Sequence, residues 1–187
     1  IELKKEYNAN TVRKEMWLGD SFIKVLTTLK ESPAMGAGLC SPYETAIFRG
    51  WQRGHLLMRS APSSGGKTTR AIGDLCNVSI PYLWDSEQQA FVKNQNYQGK
   101  GFYIHTESDQ EYEIQPKFMS YICDIPYHVI LDGSFTPQEE KRMIEAVEMM
   151  EHSIMLIDMP NFTIPLIRDT IKEMAITEHC CYGVFDY

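Results

Sequence analysis

The sequence contains no apolar run approaching the roughly 18 residues that a membrane-crossing helix needs, so no membrane span is expected. It has no Cys-x-x-Cys. Its five cysteines, Cys40, Cys76, Cys123, Cys180 and Cys181, include only an adjacent pair that is poorly placed to bridge itself. With no secretory signal visible, these thiols read as reduced, cytoplasmic side chains filling small apolar spaces. The five histidines, His55, His105, His128, His152 and His179, lack metal-ligand spacing. There is no surplus of positive charge either. A formal net charge of -7 does not favour a surface built to neutralise a phosphate backbone, although a local basic loop can still bind nucleic acid. Internal repeats and low-complexity tracts are absent. The chain does not begin with Met and stops at Val184-Phe185-Asp186-Tyr187, which reads as a buried strand, so a fragment of a larger protein is expected.

What is present describes a globular chain. Hydrophobic residues at 43% and charged residues at 23% argue against global disorder. The length of 187 residues fits one domain, or one domain with an appendage. Apolar positions at helical spacing predict a helix from Thr11 to Glu31, stopped by Ser32-Pro33, with a Gly-rich linker from Ala34 to Pro42. The reading divides the chain into a linker-helix region over 1–35 and a nucleotide-binding domain over 36–187.

Within that domain, Tyr43 to Phe48 is a short amphipathic stretch and His55 to Arg59 a short buried strand. Lys67 to about Ser79 reads as a helix, and Pro81 to Lys100 as an inserted loop or hairpin. Its aromatics Trp84 and Tyr97 either stack a base or pack the insert. Gly101 to Thr106 reads as a strand, Ser108 to Cys123 as a helix with an awkward Pro116, and Val129 to Leu131 as a strand. Thr136-Pro137-Gln138-Glu139 starts a helix, with Thr as cap and Glu three residues on. Ile154 to Asp158 reads as a strand, Thr163 to about Thr177 as a helix, and Tyr182 to Tyr187 as the last strand. Alternating strands and helices predict a parallel sheet covered on both faces.

One run carries chemistry. Ala61-Pro62-Ser63-Ser64-Gly65-Gly66-Lys67-Thr68 lies between an expected strand and an expected helix. The amides of such a turn and the N-terminus of such a helix point at negative oxygens. Gly65 and Gly66 let the backbone curl where a side chain would clash. Lys67 reaches the β- and γ-phosphates, the Thr68 hydroxyl ligates Mg²⁺, and Thr69 adds to the rim. Ala61 stands where the pattern most often has Gly. ATP and Mg²⁺ are therefore the expected ligands.

Hydrolysis also needs acids at neighbouring strand tips. Glu107 follows the second strand and is the candidate base. Asp186 lies near the end of the last and is the candidate metal-side acid, with Asp158 a third candidate. The competing readings are a first-turn acid favoured by a helix dipole for Glu107 and solvated strand-end acids for Asp186 and Asp158. For Asp158 the solvated reading leads.

The ordered segments GHLLMRSAPSSGGKTT, GFYIHTES, FTPQEEKRMIEAVEMM, IMLIDMPNFTIPLIRDTIKEM and YGVFDY resemble the ATPase domain of DnaB-type replicative helicases, over about Gly36 to Tyr187. The resemblance implies a RecA-like P-loop core, mostly parallel with helices on both faces and preceded by an N-terminal helix. It places Lys67 and Thr68 in the phosphate loop, Glu107 as catalytic Glu and Asp186 as Walker B Asp. It also implies a homo-oligomeric ring, a hexamer, moving on single-stranded DNA through regions beyond this chain. HTES stands where the family has an S-L-E-M-like turn, and 81–100 is an insertion. The family's DNA-binding loops and arginine finger lie beyond the last strand. Two alternatives stay open: a RecA- or KaiC-like ATPase in recombination or regulation, and a nucleotide-binding interaction module that does not hydrolyse.

Overall fold

The computed structural model describes residues 19, 22–31, 35–52, 54–62, 65–150 and 152–187. They fall into two compact units, Ile1–Ala34 and Met35–Tyr187.

In the first unit, helix α1 spans Phe22–Glu31 and has no buried residue. The helix expected from Thr11 does not run through Gly19, which sits in a turn at φ 100° and accepts the Phe22 N–H. Residues 11–18, 20 and 21 lie outside the described set.

The second unit opens with a segment read from sequence as a linker. Its Ala37 and Leu39 are buried, and Ala37 exchanges backbone hydrogen bonds with Trp51. Helix α2, Pro42–Phe48, starts on a Ser41 cap and ends at Arg49 in the left-handed region. Helix α3, Lys67–Ser79, buries Ile72, Leu75, Cys76 and Val78 on one face. Strands β1 (Tyr82–Asp85) and β2 (Ala90–Lys93) pair antiparallel as a separate hairpin. Trp84 packs edge-on to Phe91, and Arg142 lies over its ring at 4.0 Å, so packing rather than base stacking occupies it.

Strand β3, Gly101–His105, is buried throughout. A π-helical turn, Gln110–Ile114, follows it and leads into α4, Gln115–Cys123. Pro116 sits in the first turn of α4, where no N–H is needed, which removes the difficulty it posed in sequence. Helix α5 is Tyr127–Leu131 and α6 is Pro137–Met149, the latter begun by a complete Thr136/Glu139 capping box. Strand β4 (Ile154–Asp158), helix α7 (Ile164–Ile176) and strand β5 (Tyr182–Asp186) complete the chain.

β3 is the central strand of a three-stranded parallel sheet ordered β4-β3-β5. Its register sets His105 beside Asp158 on one side and Asp186 on the other. Alternation along β3 sends Tyr103 into the cluster with Leu75 of α3 and Phe118 of α4. Phe102 and Ile104 join the opposite cluster with Met174 of α7. Gly101 permits the close approach of α3, since a Cβ there would fall 2.5 Å from Ser79 Oγ.

The RecA-like core expected from the resemblance is not formed. The described residues build a mixed α/β arrangement of one small parallel sheet, one antiparallel hairpin and seven α-helices. Two expected strands account for much of the difference. His55–Arg59 has no ladder partner among the described residues, and Leu56 and Met58 stand exposed. Val129–Leu131 lies in helix α5, because the Pro126 carbonyl accepts the Val129 N–H and closes a helical turn. The insert at 81–100 forms its own two-stranded sheet rather than extending the parallel one.

Candidate functional site

The site is built where α3 begins. Gly66 precedes the helix at φ 76°, a left-handed conformation that favours glycine, and no described side chain caps the helix. Among the described residues, none accepts from the first-turn amides of α3. Gly65 closes the preceding turn through its N–H to the Pro62 carbonyl, 3.0 Å. A Cβ on Gly65 would meet that carbonyl oxygen at 2.8 Å and Ala61 Cβ at 2.9 Å. Ser63 and Ser64 lie outside the described residues. Lys67 is exposed on the first residue of α3, Thr68 is half-buried, and Thr69 faces solvent.

Thr68 Oγ1 donates to Asp186 Oδ2 at 2.6 Å, across 118 residues of sequence. Register brings this about. Asp186 ends β5 on the same sheet edge as His105, and α3 packs across β3 and β5 with its N-terminus at that edge. Sequence reasoning proposed both residues. It missed a third: Tyr103, fully buried, donates its phenol to the same Oδ2 at 2.7 Å. Burial first, and then the neighbouring Asp186 charge, push the Tyr103 pKa far up, so the phenol stays a donor. Only the alternation of β3 combined with its pairing to β5 could have signalled that contact.

The other acids are placed differently. Glu107 is exposed in the bend after β3, and no hydrogen bond ties it to the loop among the described residues. Asp158 stands at the tip of β4 with its side chain 58% exposed, and its Oδ1 lies 3.7 Å from His105 Nδ1. His105 is buried. Its Nε2 lies 3.4 Å from Gln110 Oε1, and its Nδ1 has no hydrogen-bond partner. The sheet edge thus presents Asp158, His105 and Asp186 in a row, of which only Asp186 reaches the loop.

A charge network that sequence reasoning also missed supports the loop from behind. Arg59, two residues before Ala61, donates from Nη2 to Glu44 Oε2 at 2.8 Å and to Asp74 Oδ2. Asp74 is buried on α3 and accepts the Cys40 N–H at 2.9 Å as well. The hydrogen bond from Arg59 holds the Glu44 carboxyl below its ordinary value of 4.5. Burial pushes the Cys40 thiol up to about 11, helped by the adjacent Asp74. That thiol is therefore protonated and poorly nucleophilic near neutrality.

A groove of about 580 Å³ opens beside the loop. Leu57 and Met58 line one part of it, Tyr182 and Phe185 of β5 another, and Lys67 and Asp186 are also among its lining residues. Among the described residues no group of three His, Cys, Asp or Glu side chains converges to hold a metal by itself. Thr68 Oγ1 and the Asp186 carboxylate form a sparse oxygen pair, a set compatible with Mg²⁺, which keeps its waters and binds through one or two protein oxygens together with substrate phosphates. Thr68 and Asp186 are the residues that would hold it. The Thr68 hydroxyl donates its hydrogen bond to Asp186 and keeps its oxygen lone pairs for a cation.

No protein-family model matches the chain. The chain is similar to the SPbeta prophage-derived uncharacterized protein YorI of Bacillus subtilis (strain 168), with 28% identity over 188 residues. The match covers all of this chain and 37% of that protein's length. No described helix is long and apolar enough to cross a membrane.

Proposed function

We propose that the chain binds a Mg²⁺-nucleoside triphosphate, with ATP the expected nucleotide, at the loop from Ala61 to Thr68, and that it belongs to an ATP-driven motor of the DnaB-like replicative helicase kind. The observation that carries the binding reading is the 2.6 Å hydrogen bond from Thr68 to Asp186. It joins a hydroxyl in the first turn of α3 to a strand-end carboxylate. Such a pairing suits the metal side of a bound triphosphate, which supports the reading.

We assign these roles. The open amides of α3 and the Lys67 ammonium neutralise phosphate oxygens. Mg²⁺, which Thr68 and Asp186 would hold, would supply neutralisation of the charge that develops on the phosphates. Asp186 holds the Thr68 hydroxyl in place. Glu107, in the bend after β3, is assigned to align the water whose oxygen attacks the γ-phosphorus as the bond to the β,γ-bridging oxygen breaks. It takes the water's proton. The helicase part of the reading rests on the order of the motifs. It entails a ring-forming homo-oligomer in the cytoplasm, single-stranded DNA bound through regions outside this chain, and no membrane partner.

A phosphate-release assay with ATP and Mg²⁺ tests hydrolysis. The chain within its complete protein should release phosphate, and Lys67→Ala should abolish release. Glu107→Gln should keep nucleotide binding and lower turnover by about two orders of magnitude. Unchanged turnover in Glu107→Gln removes Glu107 from the role of base. One observation favours a narrower reading: Glu107 is exposed and, among the described residues, makes no hydrogen bond to the loop. Nucleotide binding with no phosphate release from the complete protein would identify a binding module rather than a motor.

A further inference from the structure

We propose that Tyr103 is a positioning residue for the metal side of this nucleotide site, holding the Asp186 carboxylate beside Thr68 before any nucleotide arrives. The inference rests on the triphosphate reading above and adds a residue that neither the loop pattern nor the strand-tip acids point to.

The geometry is specific. Two hydroxyls, Thr68 Oγ1 at 2.6 Å and Tyr103 OH at 2.7 Å, converge on one oxygen, Asp186 Oδ2. Oδ1 accepts no hydrogen bond among the described residues, so it is the free oxygen for a cation or its water. The two donors differ in how firmly they are held. Thr68 stands in the first turn of α3, directly after the glycine turn. Tyr103 is 0% exposed in the middle of the central strand, with its ring edge-on to Phe118 at 5.5 Å. Asp186, by contrast, is the last residue of β5, whose outer side has no strand partner among the described residues. A carboxylate so placed has several rotamers open to it. The buried phenol selects one of them.

The consequence is a division of labour. A ligand on the metal side draws on the Thr68 lone pairs, and that hydroxyl must reorient to share itself between Asp186 and the cation. The Tyr103 bond keeps the carboxylate aimed while it does so. Phenylalanine at 103 would fill nearly the same space and keep the Phe118 contact, but leave Asp186 with a single, less fixed donor. The loss should therefore fall on the metal-assisted part of binding and not on phosphate contacts made by Lys67 and the helix amides.

The test titrates the purified chain with a fluorescent ATP analogue, in Mg²⁺ and again in EDTA. The wild-type chain is expected to bind more tightly in Mg²⁺. Tyr103→Phe should weaken binding in Mg²⁺ roughly tenfold, the scale of one hydrogen bond to a charged group, and leave binding in EDTA unchanged. The ratio of the two affinities is an internal control for folding. In an Asp186→Asn background the same change should have no further effect on that ratio. An unaltered ratio in Tyr103→Phe, or equal losses with and without Mg²⁺, overturns the positioning role while leaving the nucleotide site standing. Failure of the wild-type chain to bind the analogue under either condition removes the triphosphate reading, and this proposal with it.

Discussion

At the scale of single residues, the most consequential contact outside the loop is between Arg59 and Asp74. Asp74 is 3% exposed, and Arg59 and the Cys40 amide both donate to its carboxylate. Removing one partner of such a pair leaves an uncompensated buried charge. Arg59→Met should therefore destabilise the fold by about 3 kcal/mol. The double change Arg59→Met with Asp74→Leu should cost less than Arg59→Met alone. Urea unfolding of the three proteins checks both statements, and equal losses in single and double variants would contradict them. Glu44 extends the network and adds a pH dependence. Its folded pKa is lowered, so its contribution to stability is complete above its ordinary value of 4.5. That contribution fades as pH falls through the lower folded value. The stability gap between wild type and Glu44→Gln should accordingly be largest near about pH 6 and narrow in more acid solution. A gap that widens on acidification would reverse the sign and exclude the contact.

At the scale of elements, the sequence was most readable where local chemistry and periodicity agreed. Thr136, Pro137 and Glu139 announced α6, and the structure builds the full capping box there, with the Thr136 N–H donating to Glu139 Oε2 at 2.7 Å. Thr136→Ala should lower stability by about 1 kcal/mol, measurable by thermal or urea unfolding, because it strips the hydroxyl from the cap. Strands β3, β4 and β5 and helices α3 and α7 were legible for the same reason. Short apolar runs were not. Val129-Ile130-Leu131 fits a buried strand or a helical turn equally well by composition, and Pro126 decides for the helix. His55 to Arg59 has the residues of a strand. Its fate depends on pairing with another segment, which periodicity does not encode. Arg59 is instead held by side-chain bonds to Glu44 and Asp74.

At the scale of the whole molecule, the expected RecA-like core gave way to a three-stranded parallel sheet with a separate hairpin, while Thr68 and Asp186 meet through a hydrogen bond. Thr68 and Asp186 could be named from sequence because a loop ending in Lys-Thr and an acid at a strand tip are each local patterns. Tyr103 could not be named, because its contact with Asp186 exists only once β3 lies beside β5 in the observed register. Glu107 was named from its place after β3, and its exposed position leaves its part in turnover to the phosphate-release assay. The binding claim itself is tested most directly by calorimetric titration of the chain with ATP in Mg²⁺. The account predicts one saturable site, weakened at least about tenfold by Lys67→Ala, the scale of a lost charge-assisted contact. A titration showing no binding, or equal affinity in wild type and Lys67→Ala, would contradict it.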